Sequence, residues 1–150
     1  MTEVAFYHLT RSSPGAALPK LLEKTLQAGK RAVVMAASQQ HLDQLSEALW
    51  TADPSSWLPH GSVKDGQPQD QPIWLTAEDE NPNGAQFVFL TDDATCADLN
   101  AYERCFTVFD GANASSVEHA RQQWKVYKGE GFALTYWQQT EQGGWSKKDT

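Results

Sequence analysis

From residue 3 the chain alternates and then runs apolar to residue 9, the pattern of a buried strand. A turn-rich link at 11–15 follows. Leu18, Leu21, Leu22 and Leu26 then recur at helical spacing, with Pro19 expected in the first turn and Gly29 as terminator. Residues 32–37 form the continuous apolar run typical of a parallel strand covered on both faces. Ser38 is placed to cap a second helix that carries Leu42, Leu45 and Leu49 on one side.

Beyond an irregular stretch at 50–72, short strands are expected at 73–75 and 87–90, separated by the acidic loop 78–84. A short helix is expected at 96–102 and a buried strand at 105–109. The last helix should begin at Ser115, which stands three residues before Glu118 as in a capping box. It should run to Lys128 and stop at Gly129. An extended segment at 132–137 closes the pattern. Strands alternating with helices at these lengths predict a right-handed α/β sheet in one domain.

Composition adds exclusions. With 150 residues, 40% hydrophobic and 21% charged, the chain can bury a core and does not have the composition of a disordered one. No run approaches the roughly 18 apolar residues of a membrane helix, and the N-terminal residues lack the basic start of a secretory signal. Two cysteines, Cys96 and Cys105, read as small buried hydrophobes of a reduced compartment, so a cytoplasmic location is expected.

The motifs that usually carry chemistry are missing. Neither G-x-G-x-x-G nor G-x-x-x-x-G-K-[ST] occurs, so a dinucleotide or nucleoside triphosphate would lack its backbone cradle. Thr91-Asp92-Asp93 ends an apolar strand in a layout that can hold Mg²⁺, but without a P-loop the pair reads as a cap and a solvated turn. His8, His41, His60 and His119 show no metal-ligand spacing. No metal, cofactor or catalytic residue is expected.

Charge is unevenly spread. The net charge is −7, which disfavours direct nucleic-acid binding. Between Ser38 and Glu118 there are 14 acids and two bases, Lys64 and Arg104. From His119 to Gly129 the balance reverses to three bases, Arg121, Lys125 and Lys128, and no acid. At about 100° per residue, Val117, Ala120, Trp124 and Tyr127 share an arc of roughly 80°, and the three bases share the adjoining arc of roughly 60°. Lysines in a last helical turn can simply complement the dipole, and an apolar stripe can simply be core. As a binding surface, the arrangement suits an acidic peptide that ends in an aromatic residue and offers a carboxylate.

The sequence resembles the chi subunit family of bacterial DNA polymerase III. The resemblance rests on Phe6-Tyr7-His8-Leu9, Gly29-Lys30-Arg31-Ala32-Val33-Val34, Leu45-Ser46-Glu47-Ala48-Leu49-Trp50, Trp57-Leu58-Pro59-His60-Gly61, Ala120-Arg121-Gln122-Gln123-Trp124-Lys125 and Gly131-Phe132, in order. It implies a single three-layer α/β/α Rossmann-like domain with a mostly parallel central sheet, over residues 1–138, with 139–150 left as a flexible tail. It implies a non-catalytic replication accessory subunit that binds the acidic C-terminal tail of single-stranded-DNA-binding protein and links it to the clamp loader. The tail site would use Arg121, Trp124, Lys125 and Lys128, with Val117 where the family carries a lysine one turn earlier. A psi-subunit contact would fall on Trp50, Trp57, Pro59 and His60. The alternatives are a nucleotide- or small-molecule-utilising enzyme on a Rossmann-like scaffold, centred on Asp92 and Asp93, and a direct single-strand binder.

Overall fold

Neighbouring side chains of β1 (Glu3–Leu9) point into two different cores: Ala5, Tyr7 and Leu9 into one, Val4 and Phe6 into the other. The strand can do this because it lies inside the sheet, paired in parallel with β6 (Arg104–Asp110) on one side and β7 (Ala133–Gln139) on the other. Burial on both faces explains its apolar run.

The computed structural model describes residues 2–10, 14–51, 61–62, 68–91, 93–141 and 144–148. The remaining elements are α1 (Pro14–Gln27), β2 (Ala32–Met35), α2 (Gln39–Thr51), β3 (Gly61–Ser62), β4 (Ile73–Thr76), β5 (Phe87–Leu90), α3 (Ala114–Gly129) and β8 (Trp145–Lys148), with 3₁₀ turns at Pro68–Asp70 and Leu99–Ala101. The strands form one sheet in the order β3-β4-β2-β5-β6-β1-β7-β8. Every pairing is parallel except β7 with β8. The expected α/β architecture is therefore present.

Two crossovers leave the middle of the sheet in opposite directions. From β1 the chain passes through α1 to β2, and from β6 it passes through α3 to β7. The leucines of α1 and α2 share one core with Ala5, Tyr7, Val34 and Phe106. Ala120 and Tyr127 of α3 share the other with Val4, Phe6, Val33, Val88 and Cys105. The layers are thus α1 and α2, the sheet, and α3.

Several element ends differ from expectation. α1 starts at Pro14, inside the expected link, so Pro19 sits in the second turn and not the first. Helix α3 is capped by Asn113, whose side-chain oxygen accepts from the Ser116 backbone N–H at 3.2 Å, and not by Ser115. It ends at Gly129 as expected, and Gly131 (φ +87°) closes it: the N–H of Phe132 donates to the Tyr127 carbonyl and that of Gly131 to Lys128, a Schellman closure. The helix expected at 96–102 is only the turn at Leu99–Ala101. Within the tail expected from 139, Trp145–Lys148 pairs with β7 as an added strand.

Where the two crossovers diverge, Gly111 closes over β1. Its N–H donates to the Leu9 carbonyl at 2.8 Å, and a Cβ there would strike the His8 imidazole and the same carbonyl. Gly111→Ala should therefore lose about 1–3 kcal/mol by overpacking, and His8→Ala in the same chain should recover part of it. Phe89→Ala should cost more, about 3–5 kcal/mol, because Phe89 is fully buried and stacked on Phe106 at 4.5 Å. Urea denaturation of the four chains checks the ranking.

Candidate functional site

The exposure of α3 follows its helical wheel. Ala120 and Tyr127 are buried, Val117 and Trp124 are half-buried at the border, and Arg121, Lys125 and Lys128 are exposed beside them. The five residues predicted for the tail site therefore lie along one flank of one helix. That flank faces β1 and β7. Trp124 packs edge-on against Phe6, with ring centroids 5.2 Å apart, and against Tyr136 at 6.0 Å. Tyr127 holds the other side of Phe6 at 6.2 Å.

None of the three bases has an ion-pair partner among the described residues, where the pairs are Lys30–Glu103 at 3.2 Å and Arg104–Glu3 at 3.6 Å. Their charges are thus free for a ligand. A cavity of about 450 Å³ lies along the opposite flank, between Gln123, Val126, Tyr127 and Phe132 of the α3 region and residues 96–100, and no basic residue lines it.

Beyond Trp124 the flank continues onto the carboxyl ends of β1 and β7. His8 Nδ1 lies 2.6 Å from the Tyr136 hydroxyl. Burial pushes the Tyr136 phenol above its ordinary range, so it keeps its proton, and the imidazole tautomer sets which of the two groups donates. Burial, reinforced by the Arg121 guanidinium and opposed by Asp110, pulls the His8 pKa below its ordinary 6.5. A neutral imidazole and a phenol beside a guanidinium extend the donor surface. Neither residue stands out in the sequence, because each reaches α3 only through the non-local pairing of β1 with β7.

The other candidate residues lie elsewhere. Trp57, Pro59, His60 and Asp92 fall outside the described residues. Trp50 is in the last turn of α2, on the face of the sheet opposite α3. Cys105 is buried and Cys96 half-buried, both as free thiols. Burial pushes the Cys96 thiol up to about 11 and raises that of Cys105 as well, which is the opposite of nucleophile activation. Among the described residues no group of three or more His, Cys, Asp or Glu is arranged to hold a metal ion. None of the described helices is long and apolar enough to cross a membrane.

A family model described as the DNA polymerase III chi subunit, HolC, matches residues 1–135. The chain is 30% identical over 109 residues to a protein named as a probable DNA polymerase III subunit chi in Rickettsia prowazekii (strain Madrid E). That match covers 71% of this chain and 66% of the relative, just under two thirds of its length. With the family match running from the start of the chain into β7, the chain belongs to the DNA polymerase III chi subunit family.

Proposed function

We propose that this chain is a non-catalytic adaptor that holds the acidic C-terminal tail of single-stranded-DNA-binding protein on α3 and links it to the clamp loader. One observation carries the reading: Arg121, Lys125 and Lys128 stand exposed, and without ion pairs among the described residues, beside the half-buried Trp124, in a chain of net charge −7. A terminal aromatic ring fits the border formed by Val117 and Trp124, and the carboxylates fit the bases. With Val117 replacing the lysine that the resemblance implies, the strip has one charge fewer. His8 and Tyr136 add donors close to Arg121.

A psi-like subunit would attach near Trp50 and the segment with Trp57, Pro59 and His60. Helices α2 and α3 cover opposite faces of the sheet. A partner near the end of α2 and a tail on α3 would therefore not compete, which is what a linker requires. The soluble replication role also favours the cytoplasm.

Arg121→Ala should remove a charge-assisted contact of about 1.5–3 kcal/mol, weakening binding of a labelled acidic peptide ending in Pro-Phe about tenfold to a hundredfold. The fold should survive, since Arg121 is exposed. Fluorescence anisotropy reads this directly, and added salt should weaken binding in the unsubstituted chain. Unchanged affinity in the variant would move the site elsewhere.

His8 supplies a second test. A native pKa below the unfolded one means that the folded chain binds fewer protons, so the His8 contribution lowers stability as pH falls from about 6.5 toward the native value and then levels off. In an NMR titration His8 should titrate below 6.5, as burial dictates. Its pKa should rise in Arg121→Ala, and rise again when a carboxylate peptide occupies the strip. A His8 titration indifferent to the peptide would place the ligand away from this end of α3.

A further inference from the structure

A second cleft lies on the other face of the sheet, where the chain continues past the family match that ends at residue 135. It has a volume of about 320 Å³ and is walled by Tyr7, Phe106, Trp137 and Trp145, with Lys24 of α1 and Arg104 of β6 at its rim. Trp145, from β8, meets Tyr7 edge-on at 4.8 Å, and Trp137 stacks on Tyr7 at 6.4 Å. Arg104 lies over the Phe106 ring at 4.9 Å. The volume is at the small end of the roughly 300–1,000 Å³ of ligand pockets.

Three polar groups of the lining, on Tyr7, Trp145 and Lys24, are donors without an acceptor among the described residues. Tyr7 is nine-tenths buried and lines the cleft, yet its hydroxyl has no hydrogen-bond partner among the described residues. The Trp145 indole N–H has none there either. Lys24 is exposed without an ion pair among the described residues, and Lys147, which stands across from Trp137, is exposed as well. Arg104 has one carboxylate partner among the described residues, Glu3 at 3.6 Å. Apolar walls with unpaired hydroxyl, indole and ammonium donors ask for an aromatic group with carboxylates around it.

We infer that this cleft binds an aromatic side chain carried in an acidic peptide segment of a partner protein. The cations come from two different elements, Lys24 from α1 and Arg104 from β6, so they suit a peptide with more than one acid around the ring. A nucleic-acid strand fits less well. Among the described residues two cations line the cleft, Lys24 and Arg104, and Arg104 is already paired with Glu3 at 3.6 Å, whereas phosphates need a continuous cationic track. The inference stands apart from the tail reading, since it uses the other face and other residues.

The test uses the full chain carrying Arg121→Glu, so that the α3 strip cannot contribute. An N-terminally fluorescein-labelled, C-terminally amidated peptide Asp-Asp-Phe-Asp-Asp is titrated by anisotropy. Binding should persist in this chain and fall at least tenfold with Lys24→Glu, with Trp145→Ala, or when the peptide phenylalanine becomes alanine. Lys24 is exposed, so its variant keeps the fold if Trp145→Ala does not. Absence of binding to the Arg121→Glu chain overturns the inference, as does binding indifferent to Lys24→Glu. Oligothymidylate that binds this chain and is lost with Lys24→Glu would also overturn it, marking the cleft as a nucleic-acid surface.

Discussion

The edge-on contact between Trp124 and Phe6 sets the chemistry of the whole α3 surface. Phe6 is fully buried in a strand paired on both sides, so it cannot yield. Trp124 and Tyr127 bracket its ring and thereby fix the rotation of the helix about its own axis. Turning α3 by one residue position, about 100°, would swing the bases toward the sheet, and stripping a cation of water costs several kcal/mol without a partner. Arg121, Lys125 and Lys128 are therefore exposed because two aromatic rings are not.

That rotation matters more in an acidic molecule than it would in a neutral one. The field of the −7 chain repels an acidic ligand at long range, while the strip attracts it within a Debye length of about 8 Å. Attraction confined to one flank rejects most approaches of an acidic partner and accepts one. Nucleic acid meets the same repulsion without a terminal ring to anchor it. The arrangement so favours a short acidic segment over a long polyanion.

What could be read from the sequence was what neighbours in the chain decide. The wheel of α3 placed Val117, Trp124 and the three bases correctly because helical geometry is local. Ser38 donates no such ambiguity: as expected, its hydroxyl accepts from the His41 N–H at 3.2 Å at the start of α2. Where two equivalent signals compete, sequence cannot choose. Asn113 and Ser115 can each cap a helix, and the side-chain acceptor decided for Asn113; the end at Gly129 was legible, but not that Gly131, with its positive φ, closes it. Pairings across more than a hundred residues left no local trace, so the roles of Phe6, His8 and Tyr136 beside α3 emerged only from the register of β1 with β7. Strand β8 was missed for a related reason. Trp-Ser-Lys-Lys has little apolar alternation, and its stability comes from Trp145 packing on Tyr7, not from its own pattern.

The two candidate surfaces share one strand, which decides how they can interact. Phe6 faces α3 and its neighbour Tyr7 faces the cleft of Trp137 and Trp145, so β1 is the wall between them. Coupling through such a wall needs an element with two arrangements that both ligands bias. β1 offers none: it is held in parallel register from Glu3 to Leu9 by β6 and from Glu3 to His8 by β7. A one-residue slip would exchange its two faces, burying Tyr7 under α3 and Phe6 under α1. Two occupants on opposite faces would therefore bind additively, each adding its own affinity, and a partner carrying both kinds of acidic segment would gain through effective concentration instead of through any change in the fold.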